Sequence, residues 1–330
     1  MYIISFPESC LCAPCLHINI FLDQKSYPKN GSFFDLRYNG KYMIKKKTVV
    51  IVPTNDAEAM LIALLAEKRG FDVLRSKQSH GASLDHGRDY VEAIKKGEWQ
   101  RVIVVEMPGI QTEERIRSLG CDIVIIDHHN YTGLERAFYP HSHRTLPSSL
   151  EQFLHVARIT DHQLEKWGFS PKQVKGVGLF DRGFIWALQK EGYTKKEIQE
   201  VLQYEEELMG ERKPLSEDKK RLEAVEETWM YHKKWKEFFL VENNSVYLLR
   251  GALSIFLALK RRKPTPLILW EKRHHRFYVQ ETPWAQTLYK HFGGFTYGSQ
   301  QNWGYRNDQE KKKLCLDDIL IFLASRKETS

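Results

Sequence analysis

Acids and imidazoles recur in this chain directly after short apolar, β-branched runs. TVVIV (48–52) is followed by Asn55, Asp56 and Glu58, the run at 101–105 by Glu106, and CDIVII (121–126) by Asp127, His128 and His129. Carboxylate oxygen with some imidazole is the donor set of a divalent cation of the Mn or Mg kind, whereas thiolate-rich sets suit zinc. Two such ions about 3.5–4 Å apart clamp a phosphoryl group and make a hydroxide nucleophile from water. Cys121 begins a strand and would lie far from these residues, so thiolate has no part in that chemistry. Each acid also has a plainer reading. Asp56 and Glu58 suit a helix N-terminus, where acids are favourable, and Glu106 reads equally well as a solvated acid ending a strand. Asp127-His128-His129 is harder to explain that way, because burying a carboxylate and two imidazoles without partners costs several kcal/mol.

These residues meet only if the elements around them are arranged to bring them together. TVVIV reads as a strand buried on both faces, and 56–69 as a helix stopped by Gly70. Strands follow at 71–76, 101–106 and 121–127, with helices at 89–97 and 112–120 between them. Strands alternating with helices predict a parallel sheet covered on both faces, with chemistry at its carboxyl edge. On that edge the four carboxylates and two imidazoles converge. A mostly helical stretch comes next, capped at Ser148 or Ser149 and running through SLEQFLHVARI toward Thr160, Asp161 and His162, then helices from Asp181 and Thr194.

The stretch TEERIRSLGCDIVIIDHHNYTG (112–133) resembles the third motif region of the DHH phosphoesterase superfamily, which includes RecJ-type exonucleases, oligoribonucleases, cyclic-dinucleotide phosphodiesterases and family II pyrophosphatases. Asp56-Ala57-Glu58-Ala59 matches the first motif, Glu106-Met107-Pro108-Gly109 the second, and Asp161 the fourth, so the resemblance covers 48–165. It implies that Asp56, Glu58, Glu106, His128 and Asp161 are metal ligands with Glu106 bridging, that Asp127 orients the site, and that His129 faces the substrate phosphate as acid or charge stabiliser. It also implies two manganese ions, with magnesium as the alternative. The chain departs from the family at Glu58 and Glu106, where Asp is usual, at Ala59 in place of glycine, and at Val52, where several members have a metal-binding His. The family's glycine-rich phosphate loop has its best counterpart in His291–Gly298, so His291, Gly293, Gly294, Tyr297 and Arg306 are the expected substrate-binding residues. Phe295, Tyr297, Trp303 and Tyr305 offer base-stacking faces there or, equally, a packed core.

The 330 residues suffice for two domains with cores, and 42% hydrophobic with 28% charged residues argues against wholesale disorder. No run of about 18 apolar residues predicts a membrane span. Five cysteines are too few for a disulfide scaffold, which points to the cytoplasm. The expected fold is α/β: a parallel-sheet DHH-type domain at 43–209, a linker or exposed crossing helix at 210–224, a smaller α+β substrate-binding domain at 225–330, and a cleft between them. A hairpin is expected around Asn243-Asn244. Residues 1–42 read as a flexible extension before Met43; their Cys10, Cys12 and Cys15 lack a full ligand set, His17 being a candidate fourth. A net charge of +8, much of it in 260–276, favours phosphorylated partners, and that segment is expected to hold the substrate's leaving end.

The expected activity is manganese-dependent hydrolysis of phosphodiester or phosphomonoester bonds in nucleotides or short single-stranded oligonucleotides. With no room for the oligonucleotide-binding domain usual in RecJ-type enzymes, a small substrate is favoured. The competing reading is a non-catalytic nucleotide-binding regulator on a degenerate DHH scaffold, motivated by the Asp-to-Glu changes and the absent loop histidine. No Gly-x-Gly-x-x-Gly follows the first strand, which argues against a dinucleotide-dependent oxidoreductase. The sequence leaves the oligomeric state open.

Overall fold

Thr48–Pro53 (β1) is buried at every residue, as its β-branched composition requires of an inner parallel strand. The computed structural model describes residues 46–79, 81–128, 147–210, 215–298 and 301–326, without the side chains of 215–218. The 1–42 extension, with Cys10, Cys12, Cys15 and His17, and the expected catalytic His129 lie outside the described residues.

β1 leads through α1 (Ala57–Arg69) to β2 (Asp72–Ser76), and α2 (Tyr90–Gly97) leads back to β3 (Arg101–Val105). α3 (Ile110–Ser118) and β4 (Asp122–Ile126) complete a parallel sheet of order β2-β1-β3-β4. Successive side chains point to opposite faces. Val50, Val52, Ile103, Val105 and Ile126 share a core with α1, whereas Val49, Ile51, Val102 and Val104 pack with Tyr90, Ile94 and Ile116 of α2 and α3. The chain leaves β1 toward one edge and returns to β3 on its other side. The carboxyl ends of β1 and β3 therefore flank a crevice.

Four helices follow: α4 (Ser149–Ala157), α5 (Asp161–Lys166), α6 (Pro171–Lys190) and α7 (Lys195–Leu208). Ser148 and Glu151 form the expected capping box of α4. The helix expected from Asp181 starts earlier, at Pro171, and kinks at Gly183 and Phe184. Phe184 takes φ 57° and ψ −159°, a region that side chains other than glycine rarely adopt. Gly176 and Gly178 lie within α6, where each costs about 1 kcal/mol relative to alanine. A Cβ at Gly176 would meet Val201 at 2.4 Å and one at Gly178 would meet the Ser148 hydroxyl at 2.3 Å, so bare backbone lets α6 lie against α7 and the start of α4.

The stretch expected as a linker runs into α8 (Leu215–Met230), whose Val225 and Trp229 are buried in the next core. The second sheet comprises β5 (Lys233–Trp235), β6 (Phe238–Asn243), β7 (Leu267–Glu271), β8 (Arg276–Gln280), β9 (Phe295–Tyr297) and β10 (Asn302–Arg306), in the order β5-β6-β7-β8-β10-β9. Only β6 and β7 pair in parallel. α9 (Arg250–Arg261) packs with α8 on one face, while α10 (Ala285–Phe292) and α11 (Leu316–Ala324) cover the other. The hairpin expected at Asn243-Asn244 is displaced to β5–β6, with Lys236 turning at φ 49°. Asn243 instead folds the chain locally, accepting from Ser245 N–H at 2.8 Å and donating to Tyr247 C=O at 2.7 Å. Trp303 and Tyr305 are core residues and offer no stacking face.

Lys46–Ser330 is one compact unit. Leu179, Ile185, Ile198 and Val201 of α6 and α7 share a core with Ala258 of α9, which ties the two sheets together. Among the described residues no helix is long and apolar enough to cross a membrane.

Candidate metal centre

Glu58, Glu106, His128 and Asp181 each place one donor atom within 4.8 Å of the others. Glu58 enters from the first turn of α1, where it is 2% exposed, and accepts from the Leu150 N–H at 2.9 Å. Glu106 follows β3 directly. Its backbone turns left-handed at φ 50° while its N–H donates to Ile126 C=O at 2.8 Å; for a side chain other than glycine this is a strained setting, of the kind that collects at functional sites. The buried Ser149 hydroxyl donates to Glu106 Oε1 at 2.7 Å and lies 3.2 Å from His128 Nδ1. His128 Nδ1 is 3.1 Å from Glu106 Oε1, and its Nε2 is 3.1 Å from Asp181 Oδ2.

Three carboxylates this close repel one another, and the protein answers by binding protons. Burial, followed by the charges of Asp181 and Glu106, holds the Glu58 carboxyl well above its ordinary range. Burial would lower the His128 imidazole, but hydrogen bonds to Asp181 and Glu106 and their charges prevail and hold it up to about 11. Both shifts favour the protonated forms, which a bound divalent cation would oppose. Three hard oxygens with one imidazole fit an ion of the manganese or magnesium kind.

Asp181 takes the place expected for Asp161. Asp161 opens α5 with its side chain 57% exposed and pairs with Lys175 at 2.6 Å, outside the cluster. Sequence reasoning put Asp181 at the start of a helix; the local signal that marks it is glycine at 176, 178 and 183, unusual inside a helix unless backbones approach closely there. Asp56 caps α1, accepting from Ala59 N–H at 2.8 Å, and lies in the cleft wall beside Glu58 but outside the group of four. Asp127 is buried at the end of β4, and its C=O accepts from the Gln152 side chain at 3.1 Å.

Glu58 and Asp181 line a cleft of about 770 Å³. Its opposite wall includes Arg250, Ser254, Gln280 and Tyr297 from the second sheet and α9. The lining is acidic: Asp56, Glu58, Asp181, Glu205, Glu206 and Glu281 against Arg182 and Arg250. Burial, and then the charges of Asp181, Asp56 and Glu206, push the Glu205 carboxyl up to about 9. Arg182 pairs with Glu151 at 3.4 Å. Arg250 forms no ion pair among the described residues; its guanidinium lies over the Tyr297 ring at 4.7 Å and the Tyr278 ring at 5.6 Å. Burial pushes the Tyr297 phenol up to about 12, and its oxygen accepts from Gln280 Nε2 at 2.9 Å.

Of the expected substrate-binding residues, Tyr297 lines the cleft, and His291, Gly293, Gly294 and Arg306 do not. The glycine pair serves packing instead. Both take φ of 82°, a Cβ at Gly294 would meet Gly304 C=O at 2.3 Å, and Trp303 Nε1 donates to Gly293 C=O at 2.8 Å. Arg306 lies over the Phe295 ring at 5.1 Å and bonds Gln309. Of the basic 260–276 segment, the start at Lys263 and Thr265 lines a small pocket with the cleft residues Ser254, Gln280 and Glu281, whereas the 272–275 turn lies away from the cleft. In the β7–β8 register Glu271 faces Arg276 and Leu267 faces Gln280, so the turn and the cleft residue Gln280 lie at opposite ends of the hairpin, about 13 Å apart.

No family model matches the sequence, and no curated protein does. Among solved structures, the chain is similar to exonuclease RecJ bound to manganese, with 13% identity, a TM-score of 0.38, and 79% of this chain and 86% of that one covered. It is also similar to a pGpG-specific phosphodiesterase from Vibrio cholerae, with 11% identity, a TM-score of 0.35, and 84% and 97% covered. Likenesses of that size establish neither activity nor substrate.

Proposed function

We propose that this chain is a divalent-cation-dependent phosphoesterase of the DHH type, acting in the cytoplasm on nucleotides or short single-stranded oligonucleotides, with manganese the preferred ion and magnesium the alternative. The observation that carries this reading is the convergence of Glu58, Glu106, His128 and Asp181 at the carboxyl edge of a parallel sheet, beside an open cleft. Residues 43–209 carry the cation centre and 225–330 the substrate-binding part.

A bound cation supplies Lewis acidity, which acidifies water and polarises a phosphoryl oxygen. Glu58, Glu106, His128 and Asp181 would hold it, and Asp56, beside Glu58 in the cleft wall, would help to hold a second ion. Ser149 orients Glu106 and His128 through its hydroxyl. Asp127 steadies the end of β4, and the role left to His129 is that of acid or charge stabiliser toward the substrate phosphate. Across the cleft, Arg250, held against the Tyr297 ring, would meet a substrate phosphate. A cleft lined by six acids and two arginines tolerates a polyanion only when cations offset the acids, so substrate binding and cation binding are coupled.

The test measures phosphate or mononucleotide release from pyrophosphate, linear and cyclic dinucleotides, 3′,5′-bisphosphorylated adenosine and a 24-mer single strand, with manganese added or chelated. Manganese-dependent turnover that Asp181→Asn abolishes supports the proposal, and the preferred substrate names the class. Nucleotide binding without turnover on any substrate would replace it with the regulatory reading.

A further inference from the structure

The positive charge and the acidic cleft are segregated along the chain. Residues 231–330 contain 18 Lys and Arg against nine Asp and Glu, whereas residues 1–230 contain 32 against 33. The whole excess therefore belongs to the last hundred residues, and Arg250 is the one cation they contribute to the cleft lining. Lys263 lines a small adjoining pocket that shares Ser254, Gln280 and Glu281 with the cleft, and the other described cations of this stretch line neither.

Part of the excess gathers on the face made by α10 and α11, across the second sheet from α9. A run of rings underlies this face. Phe292 and Phe322 meet edge to face at 5.2 Å, and the exposed His291 imidazole stacks on Phe322 at 4.6 Å and 25°. Cations cover the run: the Arg326 guanidinium lies 4.3 Å from the Phe322 centroid and Lys312 Nζ lies 5.3 Å from that of Phe292. Lys236 lies 5.4 Å from the Trp235 centroid and donates to Ala324 C=O at 3.1 Å, at the end of α11. Lys290 is exposed beside His291. Among the described residues none of Lys236, Lys290, Lys312 and Arg326 forms an ion pair. The acids of α11, Asp317 and Asp318, sit in its first turn, where Asp318 accepts from Cys315 N–H and also feels the charge of Lys312.

We propose that the α10–α11 face binds single-stranded nucleic acid without regard to sequence, at a site separate from the cleft. Arg326, Lys312, Lys290 and Lys236 neutralise backbone phosphates, and the flat, outward His291 and Arg326 groups give unpaired bases a surface to stack on. Paired bases in a duplex are buried in their own stack and cannot use such a surface. A lipid surface fits less well, because Tyr289 and Ile321 are the only large apolar side chains that these two helices expose, too few to seat the face in a bilayer interface. The proposal does not depend on the reading of the cleft, since a strand is held here whether or not it is cleaved.

The test is fluorescence anisotropy of a labelled 24-mer single strand with the full chain in EDTA, which silences the cation centre. Affinity should fall with salt, with a log–log slope of about −2 to −3, as for three or four neutralised phosphates. Lys312→Glu with Arg326→Glu should weaken binding at least tenfold and flatten the slope, and Lys290→Glu with Lys312→Glu should do the same without touching the Phe322 stack. The same double reversal at the exposed Lys196 and Lys219, far along the chain, should leave binding unchanged. An equal loss in that control pair, no loss in either face variant, or competition by duplex or by anionic phosphatidylglycerol vesicles as effective as by unlabelled strand would overturn the proposal.

Discussion

His128 Nε2 lies 3.1 Å from Asp181 Oδ2, which joins the end of β4 to the kinked helix α6. Through that contact a helix far along the chain supplies the last donor to a site otherwise built from the rim of the parallel sheet.

Asp181 and Asp161 should therefore behave oppositely. Asp181→Asn removes a donor from the centre and should lower manganese affinity and turnover on the order of 100-fold or more, since even residues one step removed from a metal cost 10–100-fold. Asp161→Asn removes only the exposed pair with Lys175 and should change stability by less than about 1 kcal/mol and leave cation affinity as it was. Isothermal titration with manganese, read beside a thermal melt, distinguishes the two. Equal losses would return Asp161 to the ligand set.

Ser149 holds Glu106 and His128 through one buried hydroxyl. Ser149→Ala should reduce cation affinity on the order of 10–100-fold. Because the side chain is small and the helix cap belongs to Ser148, the fold should persist. An unchanged manganese titration would show that Glu106 is positioned by its own left-handed turn alone.

Arg250 should matter to substrate and not to the cation. A charge-assisted contact to phosphate is worth about 1.5–3 kcal/mol, so Arg250→Ala should raise KM roughly 10–150-fold while manganese affinity stays constant. Arg250→Lys should recover part of the loss, since an ammonium keeps the charge without the guanidinium's contact with the Tyr297 ring. A fall in kcat at unchanged KM would place Arg250 at the reacting phosphoryl group instead.

Without cation, the protein should lose stability as pH rises. Glu58 is held above its ordinary 4.5 by burial and by neighbouring acids. His128, lowered by burial but raised further by its bonds to Asp181 and Glu106, stands at about 11 against an ordinary 6.5. Between the unfolded and folded values each group binds more protons in the folded state, so the folded state loses ground as pH climbs through that window. Melting midpoints in chelator should fall from about pH 5 to pH 9, and Glu58→Gln should flatten the fall. Saturating manganese should flatten it as well, by taking the place of the protons. A midpoint that rises over this range would contradict the assignment of these groups.

Much of the rim was legible before any coordinates. TVVIV and the run at 101–105 announce buried parallel strands, because so unbroken an apolar sequence suits a strand covered on both faces, and the run at 121–126 forms a half-buried strand beside them. A parallel sheet then obliges the residues after those strands to share an edge, which brings together Glu58, Glu106 and His128. That inference needs only local periodicity and the geometry of the sheet.

What remained hidden depends on how far the chain folds back. Asp161 and Asp181 both belong to helical stretches after the sheet, and the glycines at 176, 178 and 183 are the one local hint of which returns to the rim. The choice was made by Gly176 and Gly178, which let α6 lie close against α7 and the start of α4, and by the kink at Gly183 and Phe184 beyond Asp181. The same holds for charge. The run at 260–276 is the most basic stretch of the sequence, yet the register of β7 with β8 puts its turn at the far end of the hairpin, so that Lys263 comes beside the cleft while Arg250 lines it. The sequence alone determined the strands, the sheet edge and the acids that end on it, since these follow from side-chain periodicity over a few residues. Only the tertiary structure decided the fourth donor and the cation facing it, because both depend on helix packing between residues far apart in the chain.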